Sequence, residues 1–192
     1  MFAGTSEIDG SSTLDIDRLA FLVCRGGWPQ AVDMREEIAL DQAMDYYDAV
    51  VHSDTRYYVD PSITAAALGI GPNDLINDLK TFGFLLETLC VRDLRVFADA
   101  INGEVYHYRD KDGQECDAVI HLRNGKYGLI EIKLDGDRLI EEGAKNLKAM
   151  EAKIDTGRMN APSFLMVLTG IGDYAYRRQD GVFVVPIGCL KN

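Results

Sequence analysis

Asp117, Glu131 and Lys133 fall within one short stretch, Gly113 to Asp135, GQECDAVIHLRNGKYGLIEIKLD, and bring two hard oxygen donors together with one ammonium. Magnesium is held by one or two carboxylates and keeps several of its waters. An ammonium beside it orients a water or stabilises charge developing on a phosphate. An acid on one strand, followed across a tight turn by Glu-x-Lys on the next, therefore has the donor set of a metal-dependent phosphodiesterase. A carboxylate and an ammonium within a run so rich in Ile and Leu are costly unless they are paired or used. A plainer reading is also open, a strand face carrying a structural Glu131–Lys133 ion pair.

The elements that must position these groups can be read from periodicity. Cys116, Ala118, Ile120 and Leu122 alternate with Asp117, Val119 and His121, and Asn124-Gly125 is a strong hairpin signal. In the second strand Gly128, Ile130, Ile132 and Leu134 share one face, with Tyr127, Leu129, Glu131 and Lys133 on the other. Val105–Arg109, ahead of the turn at Asp110–Gly113, adds a strand and completes a three-stranded meander, with Tyr106 and Tyr108 expected to pack on the sheet. A helix from Asp137 to about Asp155 follows, with Leu139, Ile140, Leu147, Met150 and Ile154 inward and Lys145, Lys148 and Lys153 outward. Ser163–Leu168 is the continuous apolar run of a strand buried on both faces, and Tyr174–Arg177 with Val182–Ile187 reads as a closing hairpin. Upstream, helices are expected from Leu14 to Arg25, from Arg35 to His52, up to Gly69, and as one element from Asp74 to Ile101 with a stripe of Leu75, Leu79, Phe82, Leu86, Cys90, Leu94 and Phe97. Glu87 stands at the edge of that stripe, either paired with Arg92 or Arg95 or joined to Asp117 and Glu131 at a metal. The order from residue 71 is α-β-β-β-α-β-β-β, a three-layer α/β/α arrangement on a mixed central sheet. Expected divisions are a loose tail over 1–13, a helical extension over 14–56 and the α/β domain over 57–192.

The Asp, gap, Glu-x-Lys spacing resembles the PD-(D/E)XK nuclease superfamily. GFLLETLCVRDLRVFA, EVYHYRDKDGQECDAVIHL, GLIEIKL and VVPIGCL together resemble the uncharacterised C-terminal domain of prokaryotic AAA-type ATP-binding proteins, regarded as having that nuclease-like fold. The resemblance implies a restriction-endonuclease-like core with Glu87 on its first helix, Asp117 on its second strand and Glu131 and Lys133 on its third. Two departures stand out. No Gly-x-x-x-x-Gly-Lys-Ser/Thr occurs, so there is no ATP site in this chain. The winged-helix-like stretch usual in that family is replaced by the direct join Val51–Arg56.

Charge bears on what such a site could meet. The 192 residues carry a net charge of −11, with 12 acidic and 4 basic side chains in residues 1–70 and 19 and 16 in the remainder. Phosphate contacts dominate nucleic-acid affinity, so this surface makes a poor free-standing nucleic-acid binder. The four cysteines have no Cys-x-x-Cys spacing and read as buried thiols of a reducing cytoplasm. No apolar run reaches membrane-spanning length. His52, His107 and His121 are too scattered to form a metal set, although His121 shares a predicted face with Asp117. Two functions follow as expectations. One is a magnesium-dependent phosphodiesterase on nucleic acid, with Asp117, Glu131 and Glu87 at the metal and Lys133 positioning water. The other is a catalytically silent module that docks to a protein partner or to its own copy through the acidic third and Trp28, Tyr46, Tyr47, Tyr57 and Tyr58.

Overall fold

The computed structural model describes residues 10–27, 35–36, 40, 60–111, 113–157 and 159–190. Most of the helix expected over Arg35–His52 lies outside these residues, as do His52, Trp28 and the four tyrosines from Tyr46 to Tyr58. The chain divides into two compact units, Asp15–Arg92, and Met1–Leu14 with Asp93–Asn192.

In the first unit, helix α1 (Ile16–Arg25) starts where Asp15 accepts the Arg18 N–H and stops at Gly26, whose φ of 70° suits glycine. Its apolar face, with Leu19, Val23 and Cys24, is buried. Helix α2 (Pro61–Leu68) is capped by Asp60 and ends on left-handed Gly69, and α3 (Pro72–Asn77) follows. The buried Asp60 carboxylate accepts the Ser62 N–H at 2.9 Å and the Gly27 N–H at 2.9 Å, and pairs with Arg92 at 2.5 Å. Burial pushes its pKa up, but these bonds and the guanidinium together hold it below the ordinary value.

The helix expected as one element from Asp74 is two. Asp78 (φ −123°, ψ 80°) ends α3, and its carboxylate accepts from the Thr81 N–H and hydroxyl. Helix α4 (Leu79–Ala100) begins there, so Leu79 sits in a first turn and is exposed instead of joining the stripe. Of the other stripe residues, Leu75, Phe82, Leu86, Cys90 and Leu94 are buried and Phe97 is half-buried.

The second unit holds a six-stranded sheet: β1 (Gly103–Arg109), β2 (Glu115–Leu122), β3 (Tyr127–Lys133), β4 (Phe164–Thr169), β5 (Tyr176–Arg177) and β6 (Phe183–Pro186), with helix α5 (Asp137–Lys153) between β3 and β4. The order is β1-β2-β3-β4-β6-β5. The meander β1–β2–β3 is antiparallel, β3, β4 and β6 are parallel, and β5 returns antiparallel to β6. This is the expected α/β architecture on a mixed sheet, with a helical N-terminal part. All six residues of β4 are buried, as a strand covered on both faces requires. Gly10–Ser12 run beside Asp173–Ala175, with the Ser12 N–H donating to the Asp173 carbonyl.

The β2–β3 turn at Asn124-Gly125 is a three-residue loop. Gly125, at φ 82°, donates its N–H to the Leu122 carbonyl, and Leu122 donates to that of Lys126. Helix α5 lays Ile140, Ala144, Leu147 and Met150 over Tyr127, Leu129, Leu165, Val167 and Val184, forming the core of this unit. Tyr106 and Tyr108 are half exposed on edge strand β1 and do not pack into the sheet as expected, because β1 presents five exposed residues of seven.

Candidate active site

Burial alternates strictly along β2, with Asp117, Val119 and His121 on the more open side, but the pairing with β1 slips once. Between the pairs Tyr106–Val119 and Tyr108–Cys116, two steps of β1 face three of β2, so β2 carries an extra residue at Asp117–Ala118. Cys116 belongs to the core beneath α5, against which Val119 also packs. The β2–β3 register stays regular, so Asp117 falls opposite Glu131, and its carboxylate accepts the Ile132 N–H of β3 at 2.6 Å. Cys116 Sγ donates to the Ile130 carbonyl, and burial pushes this thiol up to about 12.

On this face Asp117 meets the two groups that β3 presents beneath α5. Lys133 Nζ donates to Glu131 Oε2 at 2.7 Å and lies 3.6 Å from Asp117 Oδ2. Glu131 is only 4% exposed, on a strand otherwise lined by buried apolar residues. Its other oxygen, Oε1, accepts from Asn146 Nδ2 of α5 at 2.5 Å. Asn146 also donates to the Glu115 carbonyl and accepts from Gln114 Nε2 at 3.1 Å. Gly143, one turn before Asn146, faces the same place: a Cβ there would stand tightly against Val167 Cγ2 at 3.3 Å and in ordinary contact with the Glu131 Cβ at 3.4 Å and the Lys133 Cε at 3.5 Å.

The electrostatics of the cluster follow from burial. Desolvation and the Asp117 charge push the Glu131 carboxyl up, against the pull of Lys133 and Asn146. Burial opposes the Lys133 charge, yet the two carboxylates hold its pKa above the ordinary value. The ammonium thus stands between two acids in the place where a cation is favoured. Among the described residues no group of three or more His, Cys, Asp or Glu side chains gathers to hold a metal. Two hard oxygen donors suit magnesium, which takes the rest of its octahedral shell from water and substrate.

Asp117, Glu131 and Lys133 are therefore brought together. Glu87 lies half buried on α4 in the Asp15–Arg92 unit, and no role at this cluster is assigned to it. The sequence pattern does not mark Asn146 or Gln114 as site residues. An Asn on a helix with lysines at Lys145 and Lys148 reads as part of a solvated face, and only its spacing of three from Gly143 marks the side of α5 that lies against Glu131.

Residues 82–190 match the family model described as Domain of unknown function (DUF4143). The chain belongs to this family. The matched span of DUF4143 contains the acid–lysine cluster, α5 and all four segments on which the resemblance in the sequence rests. A search of curated proteins gives no match. Among solved structures, similarity is found to a chain in the refined half-complex from the tetradecameric assembly of Thermococcus gammatolerans McrB AAA+ hexamers with bound McrC. The match has 12% identity and a TM-score of 0.36, and covers 90% of this chain and 46% of that one, so this chain spans less than half its length. No helix among the described residues is long and apolar enough to cross a membrane.

Proposed function

We propose that this DUF4143 chain is a metal-dependent phosphodiesterase acting on nucleic acid, on a nuclease-like fold of the PD-(D/E)XK kind. The observation that carries this reading is the convergence of Asp117 and Glu131 on one ammonium, with the acid on β3 buried. Asp117 and Glu131 would hold a magnesium ion, which when bound supplies a Lewis acid for the phosphate oxygens. Asn146, itself held by Gln114, fixes the Glu131 carboxylate from the helix side. Lys133 is released from its carboxylates to orient the attacking water and to stabilise charge developing on the phosphate. Calorimetric titration with magnesium and manganese tests the reading, on the native chain and on Asp117→Asn. Binding lost in the variant, together with metal-dependent cleavage of single- or double-stranded DNA or RNA, is the expected result. A folded native chain that binds neither ion and cuts none of these substrates overturns it.

One observation favours a second reading. Both Glu131 oxygens accept hydrogen bonds from within the unit, and Asp117 Oδ2 accepts from the Ile132 backbone, an arrangement a purely structural clamp would also make. On that reading the domain docks to a protein partner, an ATPase encoded elsewhere or a second copy, and Asp117→Asn changes local stability alone.

A further inference from the structure

Beside the acid–lysine cluster, on the α5 side of the sheet, lies a cavity of about 460 Å³ to which the cluster's chemistry assigns nothing. That size is within the range of about 300–1,000 Å³ typical of small-ligand sites. Its floor is apolar, made by the cross-strand pair Val119–Leu129 and by Met150 of α5. Its mouth carries the half-exposed ring of Tyr108, the exposed His121, and Asp155 and Asn160 beyond the end of α5. Two features tie it to the cluster. Leu129 is two residues from Glu131 on the same face of β3, a separation of about 6.6 Å along a strand. Gln114 lines the cavity and also donates to Asn146, the residue that holds Glu131.

We infer that this cavity receives one unpaired nucleobase of the strand whose phosphodiester lies at Asp117, Glu131 and Lys133. The inference rests on the phosphodiesterase reading and names the class of its substrate as single-stranded nucleic acid. A nucleobase is flat, uncharged and apolar on both faces, with polar atoms only on its edge, which matches an apolar floor, an aromatic wall and a few polar groups at the rim. A base inside a duplex is stacked and paired and cannot enter such a recess without leaving the helix. Contact between a base and an aromatic ring contributes to binding whatever the sequence.

The test is fluorescence titration of a short single-stranded oligonucleotide carrying 2-aminopurine, with calcium in place of magnesium. It is run on the native chain, on Tyr108→Ala and on His121→Ala, both exposed positions that leave the core intact. Expected are saturable quenching, affinity reduced at least about tenfold by Tyr108→Ala and lowered by His121→Ala, and displacement of the probe by an unlabelled intact strand at a concentration at least about tenfold below that needed of an unlabelled abasic strand. Equal affinity for abasic and intact strands, or for duplex and single strand, overturns the inference. The two readings fail separately. If abasic, duplex and single-stranded substrates are all cut at the same rate in magnesium, the base site is wrong and the phosphodiesterase stands. If base binding persists in Asp117→Asn while no substrate is cut by the native chain, the recess is a base site and the phosphodiesterase is wrong.

Discussion

Replacing Lys133 by Met gives a direct measure of how the cluster is held. The substitution keeps most of the side-chain volume and removes the ammonium, leaving Glu131, 4% exposed, beside Asp117 with no cation. Removing one partner of a buried ion pair costs about 3–5 kcal/mol. Lys133 is 24% exposed in its side chain, so water screens it in part, and Asn146 still bonds Glu131. The expected loss at neutral pH is therefore about 2–3 kcal/mol. Its pH dependence is more telling than its size. The Glu131 carboxyl is already raised by burial and by Asp117, and loss of the lysine removes the main pull downward. A carboxyl raised in the folded state binds its proton more tightly there than in the unfolded chain. Its penalty is therefore absent below the unfolded value of about 4.3 and grows as pH rises toward the folded one. The variant should recover stability relative to the native chain as pH is lowered from neutrality toward the unfolded carboxyl value. Adding Glu131→Gln to Lys133→Met should restore most of the loss at pH 7, a coupling of the kind double-mutant cycles detect. The assay is urea denaturation followed by circular dichroism. A loss below about 0.5 kcal/mol, the worth of a surface pair, or a loss that does not shrink on acidification, would refute the account of a buried acid dependent on Lys133.

Asp60→Asn removes the charge that Arg92 pairs with. It should cost about 2 kcal/mol at neutral pH, and because the native carboxyl titrates below 3.8, the deficit against the native chain should close as pH falls through that region, as urea titrations would show. Gly128→Ala should destabilise by up to about 3 kcal/mol, since its Cβ would stand 2.2 Å from the Phe164 ring, and thermal denaturation measures it. Cys116, buried with its thiol pushed up to about 12, should resist iodoacetamide at neutral pH in the native state and react once the chain is unfolded, which mass spectrometry would record.

The strands and their succession along the chain could be read because each has its own signature: period-two alternation in β2, continuous burial in β4, Asn124-Gly125 between β2 and β3. The acids and the lysine could be found because charge in an apolar strand is unusual. The register slip between β1 and β2 could not, since an extra residue in a ladder leaves the alternation of β2 looking ordinary. The break at Asp78 was hidden for a different reason. Leu75, Leu79 and Phe82 keep helical spacing across it, and only the capping of Thr81 reveals that Asp78 serves as a helix start. Tyr106 and Tyr108 misled because aromatic residues in a strand usually pack, whereas here the strand is an edge.

The connectivity of the sheet also bears on the sequence of events in folding. β1, β2 and β3 are joined by hairpins, so their contacts are local and close quickly, whereas the parallel pairing of β3 with β4 must wait for the whole of α5 to be spanned. In the early meander Glu131, Lys133 and Asp117 can meet while still in water. Docking of α5, which brings Asn146 and Gly143 over them, is then the step that dehydrates the charges. Changes in the β2–β3 hairpin should therefore slow refolding, whereas changes at Gly143 or Asn146 should speed unfolding with little effect on the refolding rate. A chain organised this way commits its most costly groups to the interior only after they have found one another.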